Sequence, residues 1–300
     1  MKGSVNNSPL VSVIIATCNR AAYLPQAVAS VLCQTYQNLE LIIIDDGSID
    51  NTQEVLKRFE KDPRVRIVKQ SNAGQGTAVN LGISLARGYY IAFLDDDDAW
   101  ISEKLELQVA AIERMNNVAV MYSPLRYMDQ AGNSLGVVET PLHSGFITNR
   151  LFISNFIPYG STLVKRKCFE EMGTFSTSLV TGLDYDLWLR FSTRYAFGYV
   201  STPTLLYRIW PGQITSQHEK VYTNGIKIMH QFLRDFPGAV HKETRLRAWA
   251  HTYTGLGSTL RATERKPWRS MFCYAKAIQY KPTYLAAWKE LMKVVIAESL

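Results

Sequence analysis

The sequence predicts an α/β protein: a doubly wound sheet of mostly parallel strands, followed by a helical C-terminal extension. Three observations carry this. Short, continuously apolar runs alternate with amphipathic stretches of roughly 10–15 residues through the first third of the chain. Each apolar run ends in a polar, acidic or glycine-containing loop, and from about Glu219 onward the pattern is helical throughout.

The elements follow in order. Val11–Thr17 (VSVIIAT) reads as a buried strand and Ala21–Gln34 as a helix; Leu39–Ile44 (LELIII) is a second strand, with a helix over Asn51–Lys61. Val65–Lys69 is a shorter strand before a helix over Thr77–Arg87, and Tyr89–Leu94 (YYIAFL) is a fourth, before a helix from about Ser102 to Met115. Strands apolar on both faces are covered on both faces, and right-handed crossovers make this half doubly wound. Beyond Val118 the pattern changes: Val118–Ser123 as a strand, a hairpin over Tyr127–Leu135, then Gly160–Val164 as a strand and Arg166–Met172 as a short helix. A helix over Asp184–Tyr195 follows, then short strands at Phe197–Val200 and Leu205–Tyr207. The division expected is a sheet-bearing domain over 1–218 and a basic helical extension over 219–300.

The apolar fraction of 47% supports a substantial core. Cys18, Cys33, Cys168 and Cys273 form no paired motif and read as free thiols of a cytoplasmic protein. Met1–Leu10 shows no secretory pattern, and no apolar run reaches the length of a membrane span. The net charge of +7 is uneven: residues 219–300 hold 14 basic and 6 acidic residues, a balance of +8, leaving −1 for the rest. Such a region can meet an anionic lipid surface, or be a lysine-rich solvated face; no nucleic-acid motif accompanies it.

Ligands of open α/β sheets bind beyond the carboxyl ends of the strands. Four loops lie there: Cys18-Asn19-Arg20, Asp45-Asp46-Gly47-Ser48, Ser71–Gly76 and Asp95–Asp98. Four adjacent carboxylates repel one another unless a cation or strong donors stabilise them. Oxygen ligands select Mg²⁺ or Mn²⁺, which also bind substrate phosphates; the plainer reading is an acidic turn with Asp98 capping the next helix. Asp46 can accept from a base N–H or a ribose hydroxyl, and Asp50 is available to cap its helix. The Asn72–Gly76 loop matches no phosphate-binding fingerprint, and its glycines, Gly74 among them, permit close backbone approach to a ligand. Asp184 and Asp186, two apart on a helix, point in different directions. Asp184 serves either the helix dipole or a general base.

Together VSVIIATCNR (11–20), LIIIDDGSIDNT (41–52), SNAGQGTAVNLGISLARGYYIAFLDDDD (71–98) and LDYDLWLRF (183–191) resemble the family-two glycosyltransferases of the GT-A fold, over roughly residues 9–215. The resemblance implies inverting transfer from a nucleoside-diphosphate sugar, by default UDP-linked, to a hydroxyl of a saccharide or lipid-linked acceptor. It implies a place in surface polysaccharide or glycolipid assembly; separately, the basic C-terminal helices either make peripheral membrane contact or form a helical lid with no partner. Thr17, Asn19, Arg20, Asp46, Gly74, Asp95 and Asp96 would hold the nucleotide, Asp97 with Asp95 the Mn²⁺ or Mg²⁺, and Asp184 would be the base. Leu183 stands where the family usually has Glu. The segment Tyr207-Arg208-Ile209-Trp210 stands where family members often carry a His, making Arg208 a candidate diphosphate contact. The competing readings are a nucleotidyltransferase, against which ATCNRAAY lacks a glycine-rich basic loop, and a non-catalytic nucleotide-sugar-binding module. Finally, Trp249, Tyr253, Gly255, Gly257, Ala275–Ile278, Pro282 and Trp288 resemble a tetratricopeptide-like helical pair.

Overall fold

The computed structural model describes residues 8–139, 141–213, 217–262 and 266–298. The first seven residues, where the absence of a leader was expected, lie outside these. The chain packs into two compact units that do not follow sequence order. The first holds residues 1–146, 157–180 and 194–210; the second holds 147–156, 181–193 and 211–300. The expected division at 218 follows composition, whereas these units follow packing.

The first unit is built on a seven-stranded sheet. β1 (Val11–Thr17), β2 (Leu39–Asp46), β3 (Val65–Gln70) and β4 (Tyr90–Phe93) pair in parallel. β6 (Val118–Tyr122) and β10 (Ala196–Tyr199) also pair in parallel. β9 (Leu163–Lys165) runs antiparallel to both β4 and β6, which makes the sheet mixed. Across the sheet the order is β10-β6-β9-β4-β1-β2-β3. Every residue of β2 is buried, as a strand paired on both sides requires, while β3 at the edge is only half-buried and exposes Arg66 and Lys69.

Crossover helices cover the faces. α1 (Leu24–Leu32) starts on Pro25 and buries Leu24, Ala27, Val28 and Val31 at helical spacing. α2 (Thr52–Lys57), α3 (Gln75–Leu85) and α4 (Lys104–Arg114) follow β2, β3 and β4 in the chain. A second, four-stranded sheet joins β5 (Ala99–Trp100), β11 (Leu205–Arg208), β7 (Leu125–Met128) and β8 (Ser134–Val137). The expected hairpin is the antiparallel β7–β8 pair, and the expected short helix after β9 is α6 (Lys167–Met172).

At the starting ends of the strands a polar lock fixes the sheet. Ser12 Oγ donates to Glu40 Oε1 (2.6 Å), which also accepts the Arg87 N–H (2.7 Å), and Gly88 N–H donates to Ser12 Oγ (2.8 Å). The Arg87 guanidinium closes on Glu40 Oε2 at 2.8 Å. Burial alone would raise the Glu40 pKa, but these donors hold it below the usual glutamate range.

The second unit contains α5 (Thr148–Ile153), α7 (Leu183–Ser192) and four longer helices: α8 (His218–Asp235), α9 (Lys242–Ala262), α10 (Pro267–Tyr280) and α11 (Leu285–Glu298). α9 packs closely on α10: a Cβ on Gly257 would lie 2.7 Å from the Tyr274 ring, so glycine is what admits the aromatic. No described helix is long and apolar enough to cross a membrane.

Candidate active site

Loops after β1, β2 and β3 are tied into one cradle by two side chains. Asn19 sits at φ 55, a left-handed backbone that Asn tolerates better than most residues. Its Oδ1 accepts the N–H of Ile49 (2.8 Å) and of Asp50 (3.3 Å), and its own N–H donates to Ser48 Oγ (2.9 Å). Asp46 binds the third loop: its carboxylate accepts from Ala73 N–H (2.8 Å), Gly74 N–H (2.9 Å) and Gln70 Nε2 (2.7 Å). Gly47 is required where loops two and three touch, since it has φ 74 and a Cβ there would lie 2.7 Å from Asn72 N. Asp50 accepts the Thr52 N–H at 3.0 Å, but the cap position expected of it falls to Asn51, which makes no side-chain cap. Asp45 closes its own turn through Ser48 N–H (2.9 Å), while its second oxygen is buried without a partner among the described residues.

The acidic run after β4 divides by direction. Asp98 is buried and accepts the Arg208 N–H at 2.8 Å. It caps no helix, because the two-residue β5 intervenes before α4, which begins at Lys104. Burial, with Asp95 and Asp97 nearby, raises its pKa well above the carboxylate range. Asp96 is pushed up to about 7 by burial, with Thr17 and Arg20 pulling the other way. Asp95 Oδ1 accepts from Gln75 Nε2 (3.2 Å), and Asp97 Oδ2 accepts the Trp210 indole N–H (2.7 Å). Arg20 lies over the Trp210 ring at 4.8 Å, with Nε 3.9 Å from Asp96.

Arg208 is placed differently from the diphosphate contact expected of it. It is 1% exposed, and its guanidinium donates inward to the carbonyls of Asp97 (2.7 Å), Gln130 (2.8 Å) and Asp129 (3.1 Å), and to Gln26 Oε1. Packed against Tyr23 as well, it organises the acidic loop from behind. Trp210 was visible in the sequence only as part of the segment standing at the family's His position. Its bond to Asp97 joins positions 113 residues apart, and no periodicity marks it.

In the second unit, α7 resolves its two acids. Asp186 pairs with Arg190 one turn on (2.9 Å), a structural bridge along the helix. Asp184 accepts from Asn155 Nδ2 at 2.8 Å, and burial raises its pKa against that bond. Asn155 went unnoticed in the sequence, where nothing distinguishes it.

Residues 12–173 match the family described as Glycosyl transferase family 2, more than half of the chain. The chain belongs to that family. An uncharacterised glycosyltransferase of Rickettsia bellii is 33% identical over 216 residues, 72% of this chain and 31% of the relative. The chain thus spans about a third of the length of several of the curated relatives it matches. Among solved structures, S. aureus TarS 1–349 in complex with UDP-GlcNAc superposes with TM-score 0.68 at 17% identity, covering 90% of this chain and 81% of that one. The mannosyltransferase PcManGT of Pyrobaculum calidifontis, in complex with GDP-Man and Mn²⁺, gives 0.58 at 16%, covering 97% and 87%. At such identities the likeness is one of fold, the GT-A fold. Family membership sets the chain among glycosyltransferases, apart from the nucleotidyltransferase alternative.

The family 2 chain offers a divalent ion an oxygen-only donor set at the end of β4. The described residues form no cluster of three protein ligands. Asp97, with one oxygen already held by Trp210, and Asp95 suit a hard cation that takes its remaining ligands from substrate phosphate and water.

Proposed function

We propose that the chain transfers a sugar from a UDP-sugar to a hydroxyl of a saccharide or lipid-linked acceptor, with inversion at the anomeric carbon, in surface polysaccharide or glycolipid assembly. The observation that carries this is the three-loop cradle: Asn19 and Asp46 join the loops after β1, β2 and β3 beside an acidic run. The donor complexes of the two GT-A neighbours support a nucleotide sugar as the ligand.

In this reading Thr17, Asn19, Arg20, Asp46 and Gly74 form the nucleotide site. Asp46 acts by holding the Ala73 and Gly74 amides in place. Asp95 and Asp96 lean to the ribose side. Asp97 with Asp95 would hold Mn²⁺ or Mg²⁺, which supplies charge neutralisation for the departing diphosphate when bound. Arg20, partly exposed beside Asp96, adds a cation to the same loop set. Asp184 takes the proton from the acceptor hydroxyl, and Asn155 fixes the orientation of its carboxylate. The raised pKa makes Asp184 a stronger base than an exposed aspartate.

Thermal-shift measurements with UDP, GDP, dTDP and CDP, each with Mn²⁺ and with chelator, test the donor half. Stabilisation by UDP that requires the metal is expected; stabilisation by another diphosphate reassigns the base, and no shift with any of them removes the cradle as a nucleotide site.

A further inference from the structure

The outer face of α11 has no role in the reading above. The helix packs inward through Ala287 and Val294, which are buried. Leu285 (78% exposed), Trp288, Met292 (53%), Val295 and Ile296 (55%) lie outside. Their spacing puts them on one arc of the helix. Lys289 and Lys293 follow the same arc along its border, both exposed. The one acid in the middle of the helix, Glu290, is turned to the other side and held by Arg261 at 3.0 Å and by Lys293.

Two further facts bear on what covers this face. The Trp288 indole N–H donates to the Pro282 carbonyl at 2.8 Å, so the ring has no open donor that must remain in water. The 219–300 segment carries 14 basic against 6 acidic residues. For the segment as a whole, that excess favours an anionic partner over a second copy of itself. No described helix is long and apolar enough to cross a membrane, and an apolar arc with a lysine on its border is the form of a helix lying in the interface plane.

We propose that the exposed face of α11 docks the protein on an anionic lipid bilayer, with Leu285, Trp288, Met292 and Ile296 entering the headgroup boundary and Lys289 meeting lipid phosphates. The face shares no residue with the nucleotide cradle, so its test stands apart from the proposed transfer.

The test is flotation of the full chain with phosphatidylcholine vesicles, with and without phosphatidylglycerol, at low and high salt. Binding only to the anionic vesicles, weakened by salt, is expected, with a blue shift of tryptophan emission that Trp288→Ser removes. Lys289→Glu lowers partition by at least about fivefold. Trp288→Ser with Met292→Ser lowers it by roughly tenfold or more. Both variants retain nucleotide-induced thermal stabilisation, which separates lost docking from lost folding. Absence of binding to anionic vesicles, binding that both variants keep in full, or a dimer that the same substitutions dissociate would overturn the proposal.

Discussion

Asp184 and Asp97 carry the sharpest expectations, and each has a partner that defines its state. Asp184 is held by Asn155 and has its pKa raised by burial, so this proposed base ionises above the ordinary aspartate value of about 3.9. The acidic limb of kcat/KM against pH therefore lies above that value, and the sign is fixed: activity rises with pH as the carboxylate ionises. Asp184→Asn keeps donor binding and loses transfer by roughly 10²–10⁴-fold; unchanged turnover would remove the assignment. Asp97→Ala abolishes the metal-dependent part of donor affinity, measured by isothermal titration with and without Mn²⁺. Trp210→Phe frees the Asp97 oxygen that the indole holds and alters Mn²⁺ affinity while leaving metal-free nucleotide binding intact. Chemistry at this scale was partly legible. The Asp95–Asp98 run announced itself by self-repulsion, but which of the four face inward depends on Arg208 and Trp210, more than 100 residues later in the chain.

Among the elements, β1, β2, β3 and β4 and the helices between them were legible because continuous apolar runs and amphipathic periods are local signals. The two-residue β5 was not, since a bridge of that length has no period and exists only because β11 returns beside it. The antiparallel direction of β9 was equally hidden, because side-chain patterning carries no strand direction. The lock at the strand starts gives a testable energy. Glu40→Gln loses a charge-assisted contact with Arg87 and weakens the acceptor for Ser12 Oγ and the Arg87 N–H, costing about 1–3 kcal/mol in urea denaturation. The folded-state pKa of Glu40 is depressed. Its contribution is therefore complete above the unfolded glutamate value of about 4.3 and is lost as pH falls through the lower folded value. The Gln variant lacks that acid-sensitive component.

At the scale of the whole molecule, a lysine sealed in the interior of the first unit couples its stability to pH. Lys104 is buried, its Nζ donates to Gln108 Oε1 (2.6 Å) and Thr162 O (3.1 Å), and desolvation lowers its pKa well below the usual lysine value. Between its lowered folded value and the unfolded lysine value of about 10.4 the folded state thus binds fewer protons than the unfolded state, so this residue makes stability climb as pH rises toward the unfolded value. Thermal melts of the native chain and of Lys104→Met over that window should diverge, with the native chain gaining. A flat difference would mean that Lys104 keeps its proton inside.

The cradle also constrains how such a protein can change over generations. Asn19 grips the second loop and Asp46 grips the third, so no one of these loops keeps its shape without the sequence of its neighbour. A recombination that imports a single loop from a relative brings in a turn whose anchors remain behind in the donor gene. The continuous stretch from Thr17 to Gly76 is what carries all three loops together with their anchors.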